Sequence, residues 1–332
     1  MILREGSASI EVLSYFETGP GRRSPGFFNR EMEISRDLTV AVLSAFPRGR
    51  AIDPMAGTGV RGIRIYKEAG WEIAMNDINR ENSLLCRKNA EMNGVSSDIF
   101  NEDYFSAISR GTWDYIDIDP FGSPAGYIDA ALMRLRNHGI IGATMTDTQN
   151  LEGTSIKKGE RIYLARGIRG TFAREVSTRI FISYLLRKGA SLGFGGQPLA
   201  AVREGHYIRA FIRYTRGSSL SSKTLEEIGE IEVEGQKVGP LYTGRIYNRA
   251  VIEKIGTLRF SERTNRFFNN FPYEDLMILF FLNRSSGREV KKSAVIDRLR
   301  AAGFYAGPTN FNEKGIKSNA PKEIYEGIIS TL

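Results

Sequence analysis

Ala51-Ile52-Asp53-Pro54-Met55-Ala56-Gly57-Thr58-Gly59-Val60-Arg61-Gly62 is the stretch that decides the fold. Ala51-Ile52 reads as a short apolar strand, which Asp53-Pro54 ends. Residues 57–62 form a G-x-G-x-x-G turn, and Val60 to Glu68 carries the spacing of a helix opening directly from it. Glycines placed there let backbone approach a ligand and leave helix N–H groups aimed at it. The alternation continues downstream. Trp71 to Met75 reads as the next strand and Arg80 to Met92 as the next helix, stopped by Asn93-Gly94. Asp98 to Phe100 and Tyr115 to Ile118 are further strands, Gly126 to Leu135 a helix, and Gly139 to Met145 a fifth strand. Strands and helices alternating across short loops imply a doubly wound parallel sheet, an α/β fold.

Beyond it, Thr171 to Arg187 places apolar residues at Val176, Ile180, Phe181, Tyr184 and Leu185, a helical spacing that puts the arginines on other faces. Pro198 to Val202 and Tyr207 to Tyr214 read as β-segments joined by Arg203-Glu204-Gly205-His206, a hairpin suited to finishing the sheet. Ser218-Ser219-Leu220-Ser221-Ser222 is the most linker-like stretch. The expected division is therefore a large domain over 1–218 and a smaller mixed α/β domain over 219–332. The smaller part carries helical patterns near Tyr273 to Phe281 and Ser293 to Ala302, then closes in Gly303 to Lys317, rich in Gly, Asn and aromatics.

The 332 residues are 41% hydrophobic and 25% charged, a balance that excludes a disordered tail, a collagen-like repeat and a coiled coil. No apolar run approaches the roughly 18 residues of a membrane span. The longest, Leu276 to Leu282, suits a buried helix face. Met1-Ile2-Leu3 runs straight into Arg4 and Glu5 without a signal-peptide core, so a cytoplasmic protein with no membrane association is expected. One cysteine, Cys86, and two histidines, His138 and His206, leave little material for a disulfide or a metal cluster, and no metal is expected. The net charge is +8, and the window from Lys157 to Arg216 alone holds 13 basic against 3 acidic residues. Such a concentration points to a polyanion, most commonly a phosphate backbone. A solvated helix face is the plainer alternative.

Asp77 follows the second strand about twenty residues after the glycine turn, where an acid accepts both hydroxyl protons of a ribose. Turn and acid together suit either a dinucleotide or S-adenosylmethionine. Three features favour the second. Asp53, at the tip of the first strand, would repel a pyrophosphate but attract an ammonium and a sulfonium. Glu102-Asp103-Tyr104 ends the third strand with a carboxylate and an aromatic suited to an adenine amine and face. Asp117-Ile118-Asp119-Pro120-Phe121-Gly122-Ser123-Pro124 ends the fourth with an acid, a rigid proline and an aromatic.

That last element carries the chemistry. The exocyclic amine of a nucleobase is a poor nucleophile because its lone pair is delocalised into the ring. A carboxylate at Asp119 that accepts its N–H keeps the lone pair aimed at a methyl donor and takes the proton as the bond forms. In-line positioning would supply most of the acceleration, and Phe121 is placed to stack on the base. The plainer alternative is an Asp-Pro that merely ends a strand, with Phe121 in the core. Asp117 lies deeper on the same strand face and is given a structural role. Cys86 falls within a helix, away from any base, which disfavours ring-carbon methylation.

Ile116-Asp117-Ile118-Asp119-Pro120-Phe121-Gly122-Ser123-Pro124 resembles the signature of the tRNA (guanine-26-N2)-dimethyltransferases, archaeal and eukaryotic enzymes that methylate the guanine amine. Phe27-Phe28-Asn29-Arg30-Glu31-Met32 and Arg36-Asp37-Leu38 are similar to that family's F-Y-N-P-x-M and N-R-D-L motifs, and Gly59 to Arg64 to its donor loop. Glu175 to Ile180, His206 to Phe211, Gly239-Pro240-Leu241 and Gly315-Ile316-Lys317 also fall in family order, so the resemblance spans nearly the whole chain. It implies a Rossmann-like class I methyltransferase that moves one or two methyl groups from S-adenosylmethionine to the amine of guanine 26, with tRNA as partner and a monomer expected. It further implies that Arg36, Arg61, Asp77, Asp103 and Tyr104 contact the donor, beside the Asp53, Gly57 and Gly59 read from the residues. Asp119 becomes the acid/base, Arg36 a partner for the donor's carboxylate, and the C-terminal domain an aid to tRNA binding. Many relatives carry a four-cysteine zinc site that this chain cannot form.

Three other functions share some of these residues. An amino-methyltransferase acting on another RNA or DNA base would use the same D-P-F turn. A nicotinamide-dependent oxidoreductase would use the glycine turn and Asp77, but has no job for Asp53 or the D-P-F-G turn. A non-catalytic RNA-binding protein has no reason to keep Asp53, Asp77 and Asp119 together.

Overall fold

The structure, a computed structural model, describes residues 1–13, 26, 28–271, 279–282, 284–285 and 288–332. A hairpin of β1 (Ile2–Glu5) and β2 (Ala8–Glu11) leads into α1 (Glu33–Ser44). The alternating core follows as β3 (Arg50–Asp53), α2 (Val60–Arg64), β4 (Glu72–Asn76), α3 (Arg80–Met92), β5 (Asp98–Phe100) and α4 (Tyr104–Ser109). It continues with β6 (Trp113–Ile118), α5 (Ile128–Arg134), β7 (Leu135–Met145), α6 (Ile156–Tyr163) and α7 (Ala173–Ser191). The hairpin β8 (Phe194–Glu204) and β9 (Tyr207–Arg216) and then α8 (Ser218–Glu226) complete it.

Seven strands form one sheet in the order β5-β4-β3-β6-β7-β9-β8. The first five are parallel, while β9 runs antiparallel to β7 and β8 antiparallel to β9. The terminal hairpin therefore finishes the sheet as expected, with strands longer than the apolar runs alone indicated. From β3 the chain moves outward to β4 and β5, then returns to the other side of β3 as β6. That reversal opens a crevice at the carboxyl ends of β3 and β6.

Three elements depart from expectation. Glu33–Ser44 is a helix that the sequence concealed, because Ile34 to Leu43 are all buried and no polar stripe marks the periodicity. The helix after the glycine turn widens into a π-helical turn over Ile65–Ala69. Ser218–Ser222 is not a linker but the start of α8. Its Ser221 and Thr224 hydroxyls donate to the Ser218 and Leu220 carbonyls, and Leu220 lies where a side chain on Gly195 would sit, 2.6 Å from its Cβ position.

The main core extends well past α8, through Val233, Leu241, Ile246, Val251 and Phe271. A second, smaller cluster gathers Val295, Leu299, Ala306, Ile316, Tyr325 and Ile329. The helix expected near Ser293 is present as Lys292–Ala301. The helical pattern expected near Tyr273 to Phe281 lies largely outside the described residues, and its end, Phe281–Leu282, is a strand paired with Gly315–Ile316. Among the described residues, no helix is long and apolar enough to cross a membrane.

Buried ion pairs tie these layers together. Arg36 pairs in bidentate fashion with Glu5, and Arg64 bonds Glu5 at 2.9 Å, Asp37 at 2.5 Å and Glu68 at 2.9 Å. The Thr264 hydroxyl donates to Asp37 at 2.5 Å, reaching this network from the C-terminal half. Glu175 on α7, wholly buried, meets Arg179 at 2.9 Å and Lys317 at 2.5 Å.

Candidate active site

A cavity of about 660 Å³ occupies the crevice where the strand order reverses. Its floor is the tip of β3. Asp53 is buried there, its carboxyl pushed up to about 7 by desolvation and by the Asp117 and Asp119 carboxylates, against the opposing charge of Arg61. Asp117 sits deeper, within β6, bonded by Arg209 and by the Tyr115 hydroxyl. Burial works against its charge, but the guanidinium groups of Arg209 and Arg61 outweigh burial and hold its carboxyl below the usual range. Asp117 thus spends its carboxylate on partners within the protein. Arg61 lies 3.4 Å from Asp117, donates to Asp119, and is steadied by the Ser35 and Thr39 hydroxyls at 3.3 and 2.9 Å.

This floor holds three carboxylates against two guanidinium groups, Arg61 and Arg209. Asp53, its carboxyl raised to about 7, is therefore only partly ionised near neutral pH, and completing its charge in low dielectric needs a further cation beside it. A ligand with net positive charge meets that need; a pyrophosphate would worsen it.

The glycine turn forms one wall. Gly57 lines the cavity and donates its N–H to Asp77 at 2.9 Å. Asp77 also accepts from the Asn79 N–H and Asn82 Nδ2 at 2.9 and 3.1 Å, so its carboxylate is fixed at the cavity edge. Gly59 does not line the cavity. It starts α2 at φ +81°, and a Cβ there would lie 2.7 Å from the Cys86 sulfur, so its absence of side chain serves the packing of α2 on α3. Cys86 is buried, its thiol raised by desolvation, and takes no part in the site.

Of the ten residues singled out from sequence, Arg36, Asp53, Gly57, Arg61, Asp77, Asp103, Tyr104, Asp119 and Phe121 share this cavity; Gly59 alone does not. Three have duties that the sequence did not show. Arg61, implied as a donor contact, turns Nε to Asp117, Nη1 to Ser35 and Thr39, and Nη2 to Asp119. Arg36 commits Nε and Nη2 to Glu5 and also bonds the Asn29 carbonyl at 3.0 Å. Asp103 caps α4, its Oδ1 accepting from the Phe105 and Ser106 N–H groups, and these bonds with the Ser106 hydroxyl lower its pKa. Tyr104 is buried, with its hydroxyl on the Tyr127 carbonyl at 3.2 Å, while Glu102 turns away to Arg110. Phe121 is 63% exposed at the mouth, which excludes the core placement.

The cavity also contains residues that received no role from sequence. Phe28, Asn29 and Met32 come from the segment before α1, Ile78 is 74% exposed beside Asp77, and Thr146 and His206 complete the far rim. Ile78 carried a signal, an apolar residue directly after a strand-end acid. His206 was marked only by the expected hairpin and the His206 to Phe211 motif, and the β8–β9 turn brings it to the rim. Among the described residues no group of His, Cys, Asp or Glu is arranged to hold a metal ion.

The basic window divides on inspection. Arg179, Arg203 and Arg209 are buried and paired with Glu175, Glu152 and Asp117. Lys157, Lys158, Arg161, Arg166, Arg169, Arg174 and Arg216 are exposed.

The chain is similar to known proteins over nearly its whole length. Residues 6–234 fit the family described as N2,N2-dimethylguanosine tRNA methyltransferase. The tRNA (guanine(26)-N(2))-dimethyltransferase of Thermoplasma acidophilum is 32% identical over 337 residues, covering 99% of this chain and 97% of the relative. The enzyme of the same name from Methanocaldococcus jannaschii is 31% identical, covering 99% and 98%. The solved structure of Trm1 from Pyrococcus horikoshii in complex with S-adenosyl-L-methionine superposes with a TM-score of 0.88 at 27% identity, covering 99% of each chain.

Proposed function

The chain belongs to the N2,N2-dimethylguanosine tRNA methyltransferase family, and on that premise we propose how its residues divide the work of methylating the amine of guanine 26 in tRNA. The enzyme is a class I, S-adenosylmethionine-dependent tRNA guanine-N2 methyltransferase. When bound, S-adenosylmethionine supplies a methyl group on a positively charged sulfur. The carrying observation is that Asp53, Asp77 and Asp119, from the ends of three strands, face one cavity, where burial and neighbouring carboxylates hold the Asp53 charge back until a cation arrives.

Asp53 balances the donor's positive charge, and Asp77 accepts from its ribose. Gly57 lets the backbone approach, while Asp103 and Tyr104 border the adenine. Arg36 offers the donor's carboxylate the N–H groups that Glu5 and Asn29 do not occupy. Asp119 accepts an N–H of the guanine amine, aims the lone pair along the line of attack and takes the proton. The new C–N bond would form at the expense of the methyl–sulfur bond, whose electron pair would stay on sulfur as a neutral thioether. Arg61 holds Asp119 in that orientation, and Phe121 receives the face of the base after it leaves its stack. A second cycle on the same nitrogen gives the dimethylated product. The exposed basic residues of the 157–216 window hold phosphates, with residues 219–332 assisting, so recognition is largely of shape and backbone. The enzyme works as a cytoplasmic monomer with no resident metal.

The test combines purified protein, unmodified tRNA transcript and methyl-labelled S-adenosylmethionine, with nucleoside digestion and mass spectrometry. N2-methylated and N2,N2-dimethylated guanosine are expected, and replacing guanine 26 removes them. Label on a different base would transfer the assignment to another amino-methyltransferase activity. Donor binding without any transfer would leave only a binding protein.

A further inference from the structure

The turn that carries Asp119 is braced from behind. The Gly122 N–H donates to Thr146 Oγ1 at 2.7 Å, and the Thr146 N–H donates to the Gly122 carbonyl at 2.9 Å. One residue on, Ser123 Oγ meets the Tyr163 hydroxyl at 2.8 Å. That hydroxyl donates to Asp147 Oδ1 at 2.7 Å, which makes Ser123 the donor in the first bond. Asp147 Oδ2 in turn accepts from Asn150 Nδ2 at 2.5 Å.

Tyr163 is fully buried, its ring edge-on to Phe181 at 6.5 Å and to Tyr184 at 5.3 Å. Packing alone would be served by a phenylalanine. The hydroxyl instead joins two segments: the Asp119–Ser123 turn, and α6, of which Tyr163 is the last residue. The solvent side of α6 carries Lys157, Lys158 and Arg161, all exposed. A satisfied hydrogen-bond network in low dielectric is rigid, and losing one member unsettles the rest.

We propose that Tyr163 is a positioning residue: α6 grips tRNA phosphates with Lys157, Lys158 and Arg161, and the Tyr163–Ser123 hydrogen bond fixes the turn that presents Asp119 to the guanine amine. The same short helix thereby registers the RNA backbone and the reacting carboxylate against each other. This rests on the function proposed above.

The experiment uses the full chain with tRNA transcript, comparing wild type, Tyr163→Phe, and the triple change Lys157→Ala, Lys158→Ala, Arg161→Ala. Tyr163→Phe keeps the ring and is expected to keep the melting temperature within a few degrees. Its kcat at saturating tRNA and donor is expected to fall about ten- to hundredfold, the scale of a small misplacement of a reacting group. KM for tRNA and Kd for the donor stay within about twofold. The triple change is expected to raise KM for tRNA at least about tenfold and to flatten the logarithmic salt dependence by about two to three. Full kcat in Tyr163→Phe with an active wild type overturns the positioning role alone, and an unchanged KM and salt slope in the triple variant overturns the grip. A wild type that makes no N2-methylguanosine overturns the functional assignment and this proposal with it.

Discussion

Arg61 divides its guanidinium between Asp117 and Asp119, and that division governs what a change at position 119 does. In Asp119→Ala, Arg61 keeps Asp117, Ser35 and Thr39, so the fold survives. Donor and tRNA binding are expected to remain near wild type while kcat falls about 10²- to 10⁴-fold, the usual weight of a positioned acid/base. Single-turnover methyl transfer measures this, and full turnover in that variant would remove Asp119 from the chemistry. Asp53 offers a pH test. Its folded pKa of about 7 lies above the ordinary carboxyl value of 3.8, so folding takes up a proton between those values. The stability it contributes is full below pH 4 and is lost as pH rises toward 7. Donor binding has the opposite dependence, because the donor's positive charge calls for the ionised form. Calorimetry should show affinity about tenfold weaker at pH 6 than at pH 8. Asp53→Asn should bind weakly at both values and lose both pH slopes.

Asp53 and Asp119 were legible in the sequence because an Asp-Pro marks where β3 and β6 stop. Gly59 was misread as ligand-facing because a G-x-G-x-x-G pattern does not say which glycine serves the ligand and which serves packing. The helix partner that decides it, Cys86, is distant in sequence.

Elements obeyed the same rule. Strands flanked by turn cues were placed within a few residues, whereas α1, buried on nearly every side, had no amphipathic signature to read. The serine run at 218–222 imitated a linker because its hydroxyls bond back to the helix backbone, where sequence shows only polarity. The network around Arg64 is likewise invisible in sequence, since Glu5 and Arg64 are 59 residues apart. Glu5→Ala would leave Arg36 and Arg64 buried with fewer counter-charges. A loss of about 3–5 kcal/mol is expected, read from urea unfolding. A loss under about 1 kcal/mol would mean that Asp37 and Glu68 suffice.

For the whole molecule, charge and attachment matter most. Half of the basic window is a solvent-facing surface, and three of its arginines are internal struts, so composition overstated the electrostatic footprint. The C-terminal cluster is fastened to α7 through Lys317, and Lys317→Met should lower the melting temperature and make residues 280–332 sensitive to limited proteolysis first. Uniform digestion of both parts would argue that hydrophobic contacts carry the attachment. The families of motif quoted from sequence, Glu175 to Ile180 and Gly315 to Lys317, proved to be the two ends of this one contact.

That contact also sets an order of events during synthesis. Lys317 leaves the ribosome 142 residues after Glu175, an interval of roughly 7–30 s at about 5–20 residues per second. Through that interval the nascent helix holds its carboxylate against Arg179 without the Lys317 ammonium. The catalytic sheet is complete by residue 216, yet it waits on translation of a distant strand before its outer layer closes.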